Sequence, residues 1–298
     1  MKKINTNAGR KRAGLSDLLL TTFLILLALI TLYPFYNVLI VSGANTVAVA
    51  KHTPYILPYV WDWTGYKTIL KDAAFFRALL VSLFVTIVGT VINMLLSVTG
   101  AYVLSRKELA GRKFFLKMIL FTMLFSGGLV PTYLVIKNLN LINNIWVLIF
   151  PTAISTYYLL IMKNYFLTLP DSLIEAAKID GAHELTILVR IIVPISLPFM
   201  ATFALFYFVE RWNEWYHAML YINKTSLQPM QIYLREILVN MNTQLSAMAQ
   251  QMMGKTQKVF TTSIQMATII ITALPILCVY PFVQKHFVKG IMVGGVKE

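Results

Sequence analysis

"EAAKIDGAHELTILVRIIVP", Glu175–Pro194, is a polar, helix-forming stretch set between two apolar runs. Glu175, Asp180 and Glu184 lie inside it and Asp171 lies just upstream, in a chain with only 12 carboxylates. The local chemistry describes a bent pair of short helices. Ser172 and Glu175 have the spacing of a capping box, with the hydroxyl on the amide of residue 175 and the carboxylate back on the amide of Ser172. Pro170 blocks extension backwards, and Asp171 suits the positive end of the helix dipole. A first helix is therefore expected from about Leu173 to Asp180. Gly181 gives the backbone freedom to turn sharply, and a second helix starts near His183 and leads through Arg190 to Pro194. Ala176 and Ala177 are small enough to let the first helix lie deep in a groove of another protein. Two short helices bent about a glycine, parallel to a membrane, make a peg.

The rest of the chain supplies the membrane. Its 298 residues are 58% hydrophobic and 13% charged, with a mean hydropathy of +0.69, far outside soluble globular usage. Crossing the hydrocarbon takes about 20 apolar residues as helix. Six runs qualify: Leu18–Val41, Ala78–Leu104, Phe114–Ile136, Ile145–Met162, Leu197–Ala218 and Ser263–Val283. A β-barrel would show short alternating segments instead, so the expected fold is an all-α membrane protein with six transmembrane helices. Residues 1–298 read as one transmembrane domain, with the peg at 169–196 and a large outer loop at 221–262. The first run follows Lys2, Lys3, Arg10, Lys11 and Arg12, like a signal peptide. Its apolar core is too long for one, against roughly 7–15 residues, so it reads as an uncleaved span.

The net charge of +14 follows from topology and does not call for nucleic acid. Basic residues cluster at the N-terminus, at Arg106, Lys107, Arg112, Lys113 and Lys117, and again at Lys285, Lys289 and Lys297. By the positive-inside rule these segments, both termini and the peg are expected on the cytoplasmic side. Cys278 is the only cysteine, which excludes an intrachain disulfide and thiol-based metal clusters. The first outer loop, with Trp61, Trp63 and Tyr66, suggests an interfacial lid or short surface helix. "NLNLINN" reads as a tight outer turn, and Tyr221–Thr262 as loop and short helix. Prolines in or near the spans (Pro34, Pro131, Pro151, Pro198, Pro275, Pro281) are expected to kink them.

With the peg in hand, a family resemblance follows. The permease subunits of ATP-binding-cassette importers bear a motif E-A-A-x3-G-x9-I-x-L-P in this loop. Here it reads Glu175-Ala176-Ala177, Gly181, Ile191, Val193, Pro194, with Val193 in place of leucine. "AAKIDGA" and "WNEWYHAMLYI" resemble the carbohydrate branch, close to the second permease subunit of maltose-type transporters. Phe125–Asn144 is similar to permeases for complex oligosaccharides that pair with lipoprotein binding proteins.

The resemblance implies a type I importer permease fold in a bacterial plasma membrane. It implies a homologous second permease, two cytoplasmic ATPase subunits, an extracytoplasmic binding (lipo)protein and an oligosaccharide substrate as partners. No G-x4-G-K-[ST] loop is present, so ATP and magnesium would be held by the ATPases and this chain would need no cofactor of its own. Glu175, Ala176, Ala177, Asp180, Gly181, Ile191 and Pro194 would dock the ATPase, with Glu175 a candidate partner for a basic residue there. Lys289, Gly290 and Gly294 of the tail would reach the ATPase interface, or form a solvated tail.

Glu210, Arg211, Trp212 and Asn213 lie in the fifth span, where charge is costly and faces a bundle interior or water. They read as a sugar path or as interfacial belt and structural pairing. Asn93 in the second span reads as an interhelical hydrogen bond. Gln244, Gln250 and Gln251 in the outer loop would compete for sugar hydroxyls inside the binding protein, or belong to a lid packed on its own spans. Two rivals are a membrane enzyme and a proton-coupled secondary sugar transporter. The first lacks an H-E-x-x-H or G-x-S-x-G motif, and the second would need internal repeats and carboxylates deeper than Glu210.

Overall fold

The computed structural model describes residues 15–45, 60–249 and 262–279. Regular structure among them is helical: α1 Leu15–Ser42, α2 Thr64–Lys71, α3 Ala73–Ser105, α4 Arg112–Leu124 and α5 Leu129–Asn138. Two 3-10 turns, Ile145–Leu148 and Phe150–Thr152, precede α6 Thr156–Phe166. There follow α7 Asp171–Ile179, α8 Glu184–Ile195 with a π-helical stretch at Leu188–Ile192, α9 Leu197–Trp212, α10 Tyr216–Tyr221, α11 Met230–Ala249 and α12 Thr262–Val279.

The six apolar runs all become candidate spans, in two kinds. Helices α1, α3 and α12 are long and apolar enough to cross alone. The third, fourth and fifth runs are bent pairs: α4 with α5 at 115°, the 3-10 turns with α6 at 48°, and α8 with α9–α10 at 89°. Proline explains part of the pattern. Pro34 sits inside an unbroken α1, whereas Pro151 and Pro198 lie in turns beside breaks. The sharpest bend falls at Ser126-Gly127-Gly128, where Gly128 has φ +86°.

By internal packing the chain separates into two units, Met1–Thr68 with Leu245–Ile270, and Ile69–Gln244 with Ile271–Glu298. In the first, Ile40, Val41 and Ala44 are buried, with Met266 packed against them. The amide of Asn45 donates to the carbonyl of Val60 (2.9 Å) and that of Asp62 to Gly43 (2.9 Å). This short backbone pairing holds Trp61 stacked on Trp63, with ring centroids 5.6 Å apart.

In the second unit α3 is the axis, with α6 and α9 packed along it. Its 33 residues run about 50 Å, longer than the hydrocarbon is thick. A buried polar face follows one side of it, Ser82, Thr86, Asn93 and Ser97. Apolar clusters sit at two levels. One gathers Val98, Ala101 and Tyr102 of α3 with Ile174, Ala177 and Ile187. The other gathers Val81 and Val85 with Leu148, Ile149 and Tyr221.

Two local expectations are corrected. The segment 221–262 is not loop and short helix throughout, since α11 takes 20 of its residues. Helix-forming Met, Leu, Gln, Glu and Ala dominate there, and no Gly or Pro follows Pro229 before Gly254. The first peg helix starts at Asp171, with Pro170 as its N-cap and no side-chain cap. Ser172 thus lies inside the first turn, so the capping box does not form. "NLNLINN" is a turn, with Asn140 and Asn143 at φ 54° and 58° and the Asn143 side-chain oxygen accepting from the amides of Asn223 and Lys224. The expected cytoplasmic termini, and Lys289, Gly290 and Gly294, lie outside the described residues.

Candidate coupling segment and cleft

The peg forms as two helices about a glycine. Gly181 has φ +77° and nothing within 4 Å of where a Cβ would sit, so the requirement for glycine there is conformational and not steric. Helix α7 is two-faced. Ile174 and Ala177 are buried against α3, while Glu175 and Ala176 are exposed and Ile179 is 86% exposed. Glu175, Ala176 and Ile179 follow the spacing of one helix face. Among the described residues the Glu175 carboxylate has no hydrogen-bond or ion-pair partner. The other motif positions differ in place. Asp180 is exposed at the C-cap, Ile191 is half-buried against the lower core, and Pro194 is exposed in α8.

Polar links tie the peg to the turn that follows α3, where Lys107 pairs with Asp171 (3.0 Å) and Glu108 with Lys178 (3.1 Å), while Lys178 also pairs with Glu184 within the peg (2.9 Å). Lys107 holds the Asp171 carboxyl below the usual carboxylate range. Glu184, and then Glu108, hold the Lys178 ammonium above its ordinary value. The phenol of Tyr102, only 3% exposed, donates to the second oxygen of Glu184. Sequence reasoning passed over Tyr102, because nothing in an apolar run marks one tyrosine as facing a polar partner.

Higher along α3 a cleft of about 370 Å³ is lined by Thr152, Glu210, Arg211, Asn213, Glu214, Trp215, Tyr216 and His217. The four residues read together from sequence separate here. Glu210 is exposed and accepts from the Tyr158 hydroxyl (2.6 Å). Asn213 is exposed, its amide on the carbonyl of Val209 and its oxygen accepting from Gln231. Trp212 is buried and donates from Nε1 to the carbonyl of Thr272 (3.1 Å); it does not line the cleft. Glu214 is closed by His217, whose backbone amide (2.9 Å) and Nδ1 (3.1 Å) both meet its carboxylate.

Arg211 is 4% exposed, and all five of its N–H donors are occupied. Nε donates to Asn93 Oδ1 (3.1 Å), Nη1 to the Leu148 carbonyl (2.7 Å) and Thr152 Oγ1 (2.6 Å), and Nη2 to the carbonyls of Ile149 and Thr152. Asn93 also donates to the Thr152 carbonyl (3.0 Å). These carbonyls belong to the 3-10 turns at the break of the fourth span, where a helix can no longer satisfy them. Arg211 is thus spent on the fold, and the exposed polar side chains of the cleft are Glu210 and Asn213, with Trp215 and Tyr216 beside them. Gln244 lies in α11, while Gln250 and Gln251 lie outside the described residues.

Up to six apolar candidate spans, a polar peg and a cleft go together in this chain, and comparison with known proteins gives it a family. No family model matches. The Bacillus subtilis (strain 168) protein YtcP, named a polygalacturonan/rhamnogalacturonan transport system permease protein, is 42% identical over 283 residues, which span 95% of this chain and 98% of YtcP. A crystal structure of a bacterial ABC transporter involved in import of the acidic polysaccharide alginate contains a chain that superposes with a TM-score of 0.84 at 30% identity, covering 93% of this chain and 99% of that one. The chain belongs to the permease subunits of ATP-binding-cassette carbohydrate importers. The Bacillus subtilis (strain 168) protein LplC is 39% identical over 304 residues, which span the full length of both chains. This permease is accordingly a membrane-embedded transport subunit and not an enzyme, and a secondary transporter is not favoured.

Proposed function

We propose that this permease carries an oligosaccharide inward, handed over by an extracytoplasmic binding protein. It works beside a homologous second permease and above two cytoplasmic ATPase subunits, which hold the ATP and magnesium. The similarity to YtcP and to the alginate importer supports an oligosaccharide released from a large polysaccharide as the substrate. The observation that carries the docking role is the exposed face of α7, where unpartnered Glu175 sits with Ala176 and Ile179 at the tip of a peg whose other face is in the core. A carboxylate left free beside small and apolar groups suits a groove with a basic residue in it. The peg and both termini are then cytoplasmic. Glu210 and Asn213 offer hydrogen bonds to sugar hydroxyls, and Trp215 an aromatic face. The outer segment that carries Gln244, Gln250 and Gln251 is assigned the contact with the binding protein, its glutamines competing for sugar hydroxyls.

The test is copurification from the native membrane through a tag on this chain. The parent is expected to bring down the ATPase subunits and Glu175→Ala with Ile179→Asp to lose them, while both proteins insert to the same level. Retention of the ATPases by the double variant would remove α7 as the docking face. Impermeant maleimide applied to intact cells should fail to label Glu175→Cys in a Cys278→Ser background, and labelling from outside would reverse the topology.

A further inference from the structure

The peg could move as a loose paddle or as part of the bundle, and the contacts of Glu184 decide between these. One carboxylate oxygen takes the Tyr102 phenol of α3 and the other takes Lys178 of α7 across the Gly181 turn. Among the described residues Glu184 is the side chain whose polar contacts join both arms of the peg to the central helix, beside the apolar packing of Ile174, Ala177 and Ile187 with Val98 and Ala101. The remaining polar links, Lys107–Asp171 and Lys178–Glu108, are exposed ion pairs of small worth. Tyr102 is different, because its ring is buried in the lower core and is covered by the Arg106 guanidinium 4.6 Å from the centroid.

Beyond Tyr102 the same helix carries further polar contacts. Ser97 bonds the Tyr207 hydroxyl (2.7 Å), which also accepts the Ser155 amide at the start of α6 (3.2 Å). Asn93 bonds Arg211 and Thr152. From Tyr102 to Asn93 is about 14 Å along the axis. Both ends of the fourth-span break, Thr152 and Ser155, are therefore held from α3 or through a residue bonded to it.

We propose that the Tyr102–Glu184 hydrogen bond is the joint through which displacement of the peg is passed to α3 and, by Ser97 and Asn93, to the break in the fourth span. Tyr102 and Glu184 are positioning residues; neither touches sugar or nucleotide. The inference rests on the reading that ATPases act on the peg.

Hydrogen exchange of the complex purified through this chain, with and without ATP, magnesium and vanadate, reads both ends at once. In the parent, trapping should change exchange in the peg, residues 171–195, and in the break, residues 145–166. In Tyr102→Phe and in Glu184→Ala the peg should still respond and the break should fall back to its untrapped exchange. Glu184→Gln, which keeps an oxygen for the phenol, should restore the response at the break. A break that responds like the parent in both Tyr102→Phe and Glu184→Ala overturns the joint, as does a parent whose break never responds while its peg does. A parent whose peg does not respond overturns the docking reading instead. A mere loss of folding would alter untrapped exchange in every variant segment, which the same data show.

Discussion

Thr152 accepts from Arg211 twice, once at its hydroxyl and once at its carbonyl, while Asn93 donates to that same carbonyl. The buried guanidinium is thus solvated by peptide carbonyls, and among the described residues no carboxylate forms an ion pair with it. The broken fourth span and the buried arginine each supply what the other lacks: unpaired carbonyls and unpaired donors.

Removing the guanidinium should therefore cost more than a lost surface charge. Arg211→Met takes the Arg211 donors from the carbonyls of Leu148 and Ile149, while the Thr152 carbonyl keeps Asn93, at about 1–3 kcal/mol for each buried group left unsatisfied. We expect a lowered Tm in detergent and less protein in the membrane. Arg211→Lys, with three donors in place of five, should fall between. A Tm equal to the parent's in Arg211→Met would show that the break supports itself.

Gly89 should be intolerant for the same reason. A Cβ there meets Arg211 Cδ at 3.0 Å and Nε at 3.2 Å, and Arg211 is tied by five hydrogen bonds and cannot give way. Gly to Ala inside a helix is otherwise favourable by about 1 kcal/mol. Gly89→Ala is expected to lower Tm in the parent and to raise it, or leave it level, in Arg211→Met. The double-mutant cycle measures the coupling directly; additivity within about 0.5 kcal/mol would refute the clash.

At Gly181 the space is open and only the backbone objects. With φ +77°, a β-branched side chain faces a left-handed conformation that costs roughly 1–2 kcal/mol even for ordinary residues. Gly181→Val should uncouple ATP hydrolysis from sugar import while the spans still insert, and Gly181→Asn should keep more function. Parent-like import by Gly181→Val in reconstituted vesicles would count against a fixed turn.

Salt and mild acid should leave the peg seated. Raising salt from about 0.1 to about 1 M cuts the Debye length from about 10 to about 3 Å, which weakens the exposed Lys107–Asp171 and Lys178–Glu108 pairs but not the apolar core under Ile174 and Ala177. Acid works through Asp171. Its carboxyl is held low by Lys107, so this contribution is fully present above the ordinary carboxylate pKa of about 3.9 and is lost only as pH falls through the lowered folded value. Exchange protection of residues 171–195 should stay constant between about pH 6 and pH 8, after correction for intrinsic rate, and change little with salt. A steep loss in salt would make the ion pairs the main tether.

Much of this permease follows from pattern alone. Six apolar runs must become helices because lipid leaves no other way to satisfy a peptide backbone, and the glycine at 181 between two polar helical stretches must turn. The peg's motif and the fifth-span charges were visible as residue types at given spacings. Their assignments were not. Glu210 and Arg211 are neighbours in sequence and both line the cleft, yet a 100° step about a helix leaves one exposed there and buries the other in its wall. No local signal says which, because the partners of Arg211 lie 59 to 118 residues away. Tyr102 and Glu184 are 82 residues apart, and only packing α3 against the peg brings them together. Sequence thus determined which segments are apolar enough to span and that the chain turns at Gly181. It did not determine the 115° break at Ser126-Gly127-Gly128, and Pro34, expected to kink, lies in an unbroken α1. Tertiary structure decided which polar groups are consumed inside the bundle and which remain to meet a sugar or a partner, since hydrogen bonds between distant residues exist only after the helices have packed.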